Sequence, residues 1–197
     1  YVLIFENRGD IMGNSQLHPH GQAYAYGSIP DLMVSGQLES FASGDFVAEA
    51  LESELNDGRR VVYQNDSFCA FVPFAAWLPY DVILVPRRKL GSLSEGTSVE
   101  RDHLAAMLKQ ILSGLDSLFR SPYQYSLALI QAPSKGEQDF HFQIHISSLL
   151  REPEVRKHVV GTDIFGRSVN PSDPNVSAAE IRRGMREAIS KESEIPK

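Results

Sequence analysis

Only one of the 197 residues is cysteine, Cys69, so the chain can close no disulfide within itself and has no Cys-x-x-Cys pair of the kind structural zinc sites use. Cys69 lies inside the apolar run Phe68-Cys-Ala-Phe-Val72; it reads as a core residue, and the lone thiol fits a reducing compartment, the cytoplasm. No apolar stretch approaches the roughly 20 residues that cross a bilayer; runs such as Val82 to Val85 are strand-sized. Basic clusters are as scarce. None exceeds short groups such as Arg59-Arg60 and Arg87-Arg88-Lys89, and the formal charge is -6, which argues against nucleic acid as a partner while leaving room for a small anion. There is no Gly-rich phosphate loop of the Rossmann or Walker type. The chain opens on Tyr1 with no succession of basic, apolar and small-residue regions, so it reads as a piece of something longer rather than as a leader.

What is present is a hydrophobic content of 42%, enough for one sizeable core. The run Tyr1 to Asn7 reads as a buried strand closed by Arg8-Gly9-Asp10, and Gln22 to Ile29 as a second, closed by Pro30-Asp31. Between them come the loop Gly13-Asn14-Ser15 and the triplet His18-Pro19-His20. Val47, Leu51 and Leu55 recur at helical spacing before Asn56-Asp57-Gly58. Strands follow at Val61 to Tyr63, Phe68 to Pro73 and Asp81 to Pro86, the last two joined through Trp77-Leu-Pro79. The longest helix carries Leu104, Met107, Leu108, Ile111, Leu112, Leu115, Leu118 and Phe119 on one stripe behind the capping box Thr97-x-x-Glu100. Tyr125 to Gln131 and Phe140 to Ile146 read as strands about a polar Ser134-Lys-Gly136 link. The second alternates, with His141, Gln143 and His145 on one face and Phe140, Phe142, Ile144 and Ile146 on the other. A capping box at Ser177-x-x-Glu180 is expected to open a terminal helix with Ile181, Met185 and Ala188 inward. Hairpin-length links between most strands predict an α+β fold, a mainly antiparallel sheet with packed helices.

The chemistry concentrates at His18-Pro19-His20-Gly21-Gln22. Proline fixes its own φ and pushes His18 toward an extended backbone, so the imidazoles at i and i+2 share a direction. Gly21 clears space beside His20 for a phosphate, and the Gln22 amide can donate to a phosphate oxygen. A neutral imidazole can attack phosphorus and divide one transfer into two through a phosphoramidate. A histidine pair on a strand is also a common packing or surface feature, and spacing alone leaves both readings open.

Phe5-Glu-Asn7, Met12-Gly13-x-Ser15, His18-Pro-His-Gly-Gln22, Phe142-Gln-Ile-His145, Leu149-Leu-Arg151 and Val155-Arg-Lys157-x-Val-Val160-Gly161 follow one another along nearly the whole chain. In that order they resemble the second part of the galactose-1-phosphate uridylyltransferase family, within the histidine triad superfamily. The resemblance implies two similar antiparallel halves: residues 1–45 the end of the first, carrying the His-Pro-His motif, and residues 46–197 the second. It implies that His20 is the catalytic nucleophile taking a uridylyl group from a UDP-hexose, to be passed to a hexose 1-phosphate. Asn7, Gly13, Ser15 and Gln22 then contact or support the phosphates. Lys157, Val160 and Asp163 fall where the family meets the sugar phosphate, in the partner subunit's active site, which implies a homodimer. His18 matches a zinc ligand, and zinc is expected only if further ligands precede Tyr1.

Departures from the family pattern carry expectations too. Of the residues expected at a second metal site, only His145 fits; Ile130, Ser147 and Gly36 stand where other ligands would be, so no second metal is expected. Thr162-Asp163 replaces a Tyr-Glu pair at the hexose, which leaves the sugar open. His103 is expected to be solvated and His158 to be a structural or interface residue. The face of His141, Gln143 and His145 either lines the sheet core or is a degenerate relic of an active site. Two further functional readings stand beside the transferase: a related histidine-triad phosphorylase or hydrolase, and a non-catalytic nucleotide-binding and dimerisation module.

Overall fold

The computed structural model describes residues 1–14, 16, 18, 20–29, 44–133, 140–166 and 169–194. Its centre is a seven-stranded sheet, every neighbouring pair antiparallel, as the short links predict. The strands are β1 (Val2–Arg8), β2 (Gly21–Ala25), β3 (Val61–Gln64), β4 (Phe68–Phe71), β5 (Val82–Pro86), β6 (Tyr125–Ile130) and β7 (Gln143–Ser147), in the spatial order β2-β1-β6-β7-β5-β4-β3. The helices are α1 (Phe46–Asp57), α2 (Ser98–Phe119), a short α3 (Gly161–Phe165) and α4 (Pro174–Glu194).

Each face of the sheet has its own cover. Leu104, Met107, Ile111, Leu115 and Phe119 of α2, with Ile181 and Met185 of α4, pack on Val82, Leu84, Phe142, Ile144 and Ile146. These positions alternate along β5 and β7, so they share one face. On the opposite face Val47 and Leu51 of α1 meet Cys69, Phe71 and Val85, and farther along Ile130 and Phe140 pack with Tyr1, Leu3 and Ile29. Cys69 is fully buried, and burial raises its thiol to about 11, which fits a packing residue and not a nucleophile.

Helix α2 begins as expected: Thr97 Oγ1 accepts the Glu100 N–H and Glu100 accepts the Thr97 N–H. Helix α4 does not. It starts three residues before Ser177, where the Asp173 carbonyl accepts the Ser177 N–H at 2.9 Å and Asp173 Oδ1 accepts the Asn175 N–H at 2.8 Å. Ser177 is thus already inside the helix, and Glu180 is engaged elsewhere, accepting a hydrogen bond from the Tyr80 hydroxyl at 2.6 Å. The two long helices cross at Gly114 and Gly184, where a Cβ at Gly184 would overlap the Gly114 carbonyl oxygen and one at Gly114 would overlap Met185.

Several boundaries move. β2 ends at Ala25, short of Ile29, and β7 begins at Gln143 because the chain before it leaves the ladder, the Phe142 N–H bonding to the Leu90 carbonyl. Asp45, at the expected division between halves, is the N-cap of α1. The sheet runs on across that point, with β1 paired to β6 from Ile4↔Leu129 to Arg8↔Tyr125. Beyond the sheet lie a two-stranded ribbon, β8 (Leu150–Glu152) and β9 (Val155–Arg156), and α3, none of them foreseen. His103, expected in solvent, is instead half-buried, with Nδ1 2.7 Å from Ser67 Oγ and its carbonyl accepting from Asn65 Nδ2 at 3.0 Å. The histidine secures the start of α2 to the turn between β3 and β4.

Candidate active site

The β1–β2 ladder ends at Glu6↔Gly21, so His20 stands one residue before the last pair, next to Asn7. The connection that returns the chain to this point is tied down locally. A 3-10 turn spans Asp10–Met12 between Gly9 and Gly13, both at positive φ. Gln124 Oε1 accepts the Ile11 N–H at 2.9 Å. Gly9 is required here because a Cβ would overlap the Gln124 side chain and because its φ of 89° suits glycine. Gly13 is exposed in a left-handed conformation that closes the turn.

His20 is half-buried, and its Nδ1 lies 2.9 Å from the backbone carbonyl oxygen of His18. A carbonyl can only accept, so Nδ1 donates this hydrogen bond, and in the neutral tautomer that does so the lone pair lies on Nε2. The His18 side chain is exposed.

By strand alternation Gln22 and Tyr24 share the face of His20, while Phe5 and Asn7 face the same way from β1. The ladder pairs Phe5 with Gln22, and the rings of Phe5 and Tyr24 meet edge-on with centroids 5.1 Å apart. Asn7 accepts a hydrogen bond at Oδ1 from Ser126 Oγ of β6, 2.6 Å away. That leaves the Asn7 amide nitrogen as the donor available to a ligand. Nothing in the motif pointed to Ser126; the only signal is a small polar residue at the start of the apolar Ser126-Leu-Ala-Leu-Ile130 run. Ser15 lies outside the described residues.

The same face continues through Ala128, paired with both Phe5 and His145. His145 donates from Nε2 to Gln143 Oε1 at 2.9 Å, and loss of solvent lowers its pKa to about 4, so it is neutral at pH 7. His141 is buried at 1% exposure, bonding through Nε2 to the Pro86 carbonyl at 3.0 Å. Its Nδ1 lies 3.5 Å from Asp45 Oδ2. These contacts use His141 and Gln143 as internal polar links in the sheet. Ile130 is buried opposite Gln143 and Ser147 pairs with Ser126; Gly36 lies outside the described residues.

Lys157, Val160 and Asp163 come together apart from this ladder. The Lys157 ammonium contacts Asp163 Oδ1 at 2.7 Å, with side chains only 8% and 9% exposed. Asp163 Oδ2 accepts the Val160 N–H at 2.9 Å, at the first turn of α3. Val159, Val160, Ile164, Phe165 and Val169 around this pair are exposed. His158 is exposed too, and with Arg156 and Glu154 it lines a cleft of about 470 Å³ whose far wall is Ile11, in the connection leading to His20.

Among the described residues no three His, Cys, Asp or Glu side chains are grouped to hold a metal. His18 alone cannot satisfy zinc, which takes about four ligands, so these residues do not by themselves form a zinc site. Among the described residues no helix is long and apolar enough to cross a membrane.

Residues 17–194 match the family model of the galactose-1-phosphate uridyl transferase C-terminal domain, and residues 1–30 that of its N-terminal domain. Galactose-1-phosphate uridylyltransferase of Saccharomyces cerevisiae is 36% identical over 194 residues, covering 92% of this chain and 52% of the yeast protein. The Haemophilus influenzae enzyme is 32% identical, covering 92% and 54%. The chain thus spans about half the length of the curated relatives it matches. A solved uridylyltransferase superposes with a TM-score of 0.85 at 29% identity, over 95% of this chain and 61% of that one. The fold alone is shared with an ADP-glucose phosphorylase from Arabidopsis thaliana, TM-score 0.78 at 22% identity over 92% of this chain and 57% of that one. It is shared too with a histidine triad nucleotide-binding protein from Sulfolobus tokodaii, TM-score 0.51 at 16% identity over 74% and 97%. With a family model covering most of its length and a histidine-triad-like sheet carrying the His-Pro-His-Gly-Gln motif, the chain belongs to the galactose-1-phosphate uridyl transferase family.

Proposed function

We propose that the chain is the nucleophile-bearing part of a UDP-glucose:hexose-1-phosphate uridylyltransferase that works through a uridylyl-His20 intermediate. The observation that carries this reading is the Nδ1 contact of His20 with the His18 carbonyl at 2.9 Å, which in the neutral ring puts the attacking lone pair on Nε2. Nε2 attacks the α-phosphorus of a UDP-hexose and forms a P–N bond. The bond from that phosphorus to the bridging oxygen breaks, and hexose 1-phosphate leaves with the electron pair. A phosphate oxygen of the second hexose 1-phosphate then attacks the same phosphorus, the P–N bond breaks, and neutral His20 is restored.

Each neighbour has a role in that sequence. The uridylylated ring carries positive charge, which the His18 carbonyl oxygen stabilises through Nδ1–H. The Gln22 and Asn7 amides donate to the phosphate oxygens as negative charge gathers there, a task the family resemblance extends to Gly13 and Ser15. Lys157, at the α3 ribbon with Val160 and Asp163, supplies the cation for the hexose phosphate. Exposed Val159, Ile164 and Phe165 around it support a homodimer in which this segment reaches the partner's site. The protein is read as cytoplasmic, in galactose metabolism. His145, the one residue that fits a second metal site, donates instead to Gln143.

Intact-mass spectrometry after mixing with UDP-glucose tests the reading. A mass increase of one uridylyl group, absent in His20→Ala, is expected, and label from galactose 1-phosphate should pass into UDP-galactose. An adduct discharged by inorganic phosphate or water, but not by galactose 1-phosphate, would overturn the transferase assignment in favour of a phosphorylase or hydrolase.

A further inference from the structure

Lys157 is an ammonium with its side chain 8% exposed, and the carboxylate of Asp163 lies 2.7 Å from it. Burying an ammonium is costly unless a counter-ion stays close. The same carboxylate accepts the Val160 N–H at 2.9 Å through Oδ2 and the Val169 N–H at 3.3 Å through Oδ1. One side chain therefore joins three points of the segment, at 157, 160 and 169, and faces inward toward all of them.

Helix α3 is five residues long, and none of them is buried. It has no apolar seat of its own, and so few residues make a marginal helix in water. The Asp163 contacts are what give this segment a shape. We infer that Asp163 is a positioning residue that acts through Lys157, holding the ammonium in place and aimed before hexose 1-phosphate arrives, and that it does not read the sugar itself.

The inference rests on the proposed transferase reading, which gives Lys157 the hexose phosphate. It makes a prediction that a direct sugar contact does not. A residue that touches a sugar hydroxyl distinguishes sugars that differ at that hydroxyl, whereas one that acts through a phosphate-binding lysine weakens every sugar 1-phosphate alike. In a double-mutant cycle with Lys157, its effect vanishes once the lysine is gone.

The test compares full-length native enzyme with Asp163→Asn, Lys157→Met and the double variant, measuring kcat and KM for galactose 1-phosphate and glucose 1-phosphate. The expected result for Asp163→Asn is a KM about tenfold higher for both sugars with kcat changed less than about threefold, and a double variant no worse than Lys157→Met. Unequal losses for the two sugars, or losses that multiply in the double variant, would overturn the inference while native turnover continues. Absence of native turnover and of a His20 adduct would overturn the transferase reading and this inference with it. If a single variant unfolds, the double variant, which buries neither charge, carries the sugar comparison: equal losses support the inference and unequal losses reject it.

Discussion

Ser126 Oγ donates to Asn7 Oδ1 across 2.6 Å, and this bond decides which end of the Asn7 amide is left to make other contacts. A free amide can present either its oxygen or its nitrogen; only the nitrogen can hydrogen-bond a phosphate oxygen. Ser126→Ala should therefore slow uridylylation of His20 by about five- to tenfold, the scale of one lost orienting hydrogen bond. Stability should change little. Rapid-quench intact-mass kinetics with UDP-glucose checks this, and a Ser126→Thr variant that keeps the hydroxyl should recover most of the rate.

Asp81 and His145 make opposite contributions to stability in the same pH range. Burial raises the Asp81 carboxyl to about 6 from an ordinary 3.8. The folded state then holds a proton that the unfolded state has released, and this contribution is lost as pH rises from 4 to 6. His145 is lowered to about 4 from 6.5. There the unfolded state takes the proton first, so its contribution is lost as pH falls from 6.5 to 4. Each is worth about 3 kcal/mol at about 1.4 kcal/mol per pKa unit. Urea midpoints of the native protein should stay nearly level between pH 4 and 6. Asp81→Asn should become less stable toward pH 4, and His145→Phe more stable.

Gly184 sits where its helix touches the Gly114 carbonyl. An alanine within a helix normally gains up to about 1 kcal/mol over glycine. Here the added methyl group must push the two helices apart, at a cost of about 1–3 kcal/mol. Gly184→Ala is expected to lower the melting temperature, whereas Gly58→Asn, at an open left-handed helix end, should be nearly neutral.

Glu54 and Arg60 form a buried ion pair at 3.0 Å, with side chains 7% and 10% exposed. Desolvation outweighs the attraction of Arg60, so the Glu54 carboxyl is raised above its ordinary value. Removing only the arginine leaves a buried charge; Arg60→Met should cost about 3–5 kcal/mol, while Glu54→Leu with Arg60→Met should recover most of it. Chemical denaturation of both variants decides the point.

Much of this architecture is legible in the sequence where periodicity is long. The eight-residue apolar stripe behind Thr97 and Glu100 marks α2, and the alternation around Gln143 and His145 assigns the two faces of β7. The candidate nucleophile stands out because His18, Pro19, His20, Gly21 and Gln22 are adjacent. What stays hidden depends on partners far along the chain. Ser67 holds His103 from 36 residues away, and Ser126 reaches Asn7 across 119. The Ser177-x-x-Glu180 pattern misled because it matches a helix start in spacing, while Asp173 and Pro174 had already begun the helix. The ribbon and α3 carry no periodic signal, since an ion pair and a few backbone contacts shape them.

The place of β1 in the sheet governs when the candidate site at His20 can be assembled. Its outer neighbour is β2, but its attachment to the rest of the sheet is β6, with Tyr125 bonded to Glu6 over 119 residues of intervening chain. During synthesis the His-Pro-His strand leaves the ribosome long before the strand it docks on, and at about 5–20 residues per second it waits on the order of ten seconds. Among the described residues β1 and β2 have only each other to pair with in that interval, and a two-stranded hairpin by itself is at best marginally stable. The sheet from β3 to β7 can form first, and closure of β1 onto β6 then joins the His20 strand to it as a late, long-range event. Variants that slow this closure would yield soluble, well-folded but inactive protein soon after synthesis, gaining activity with time.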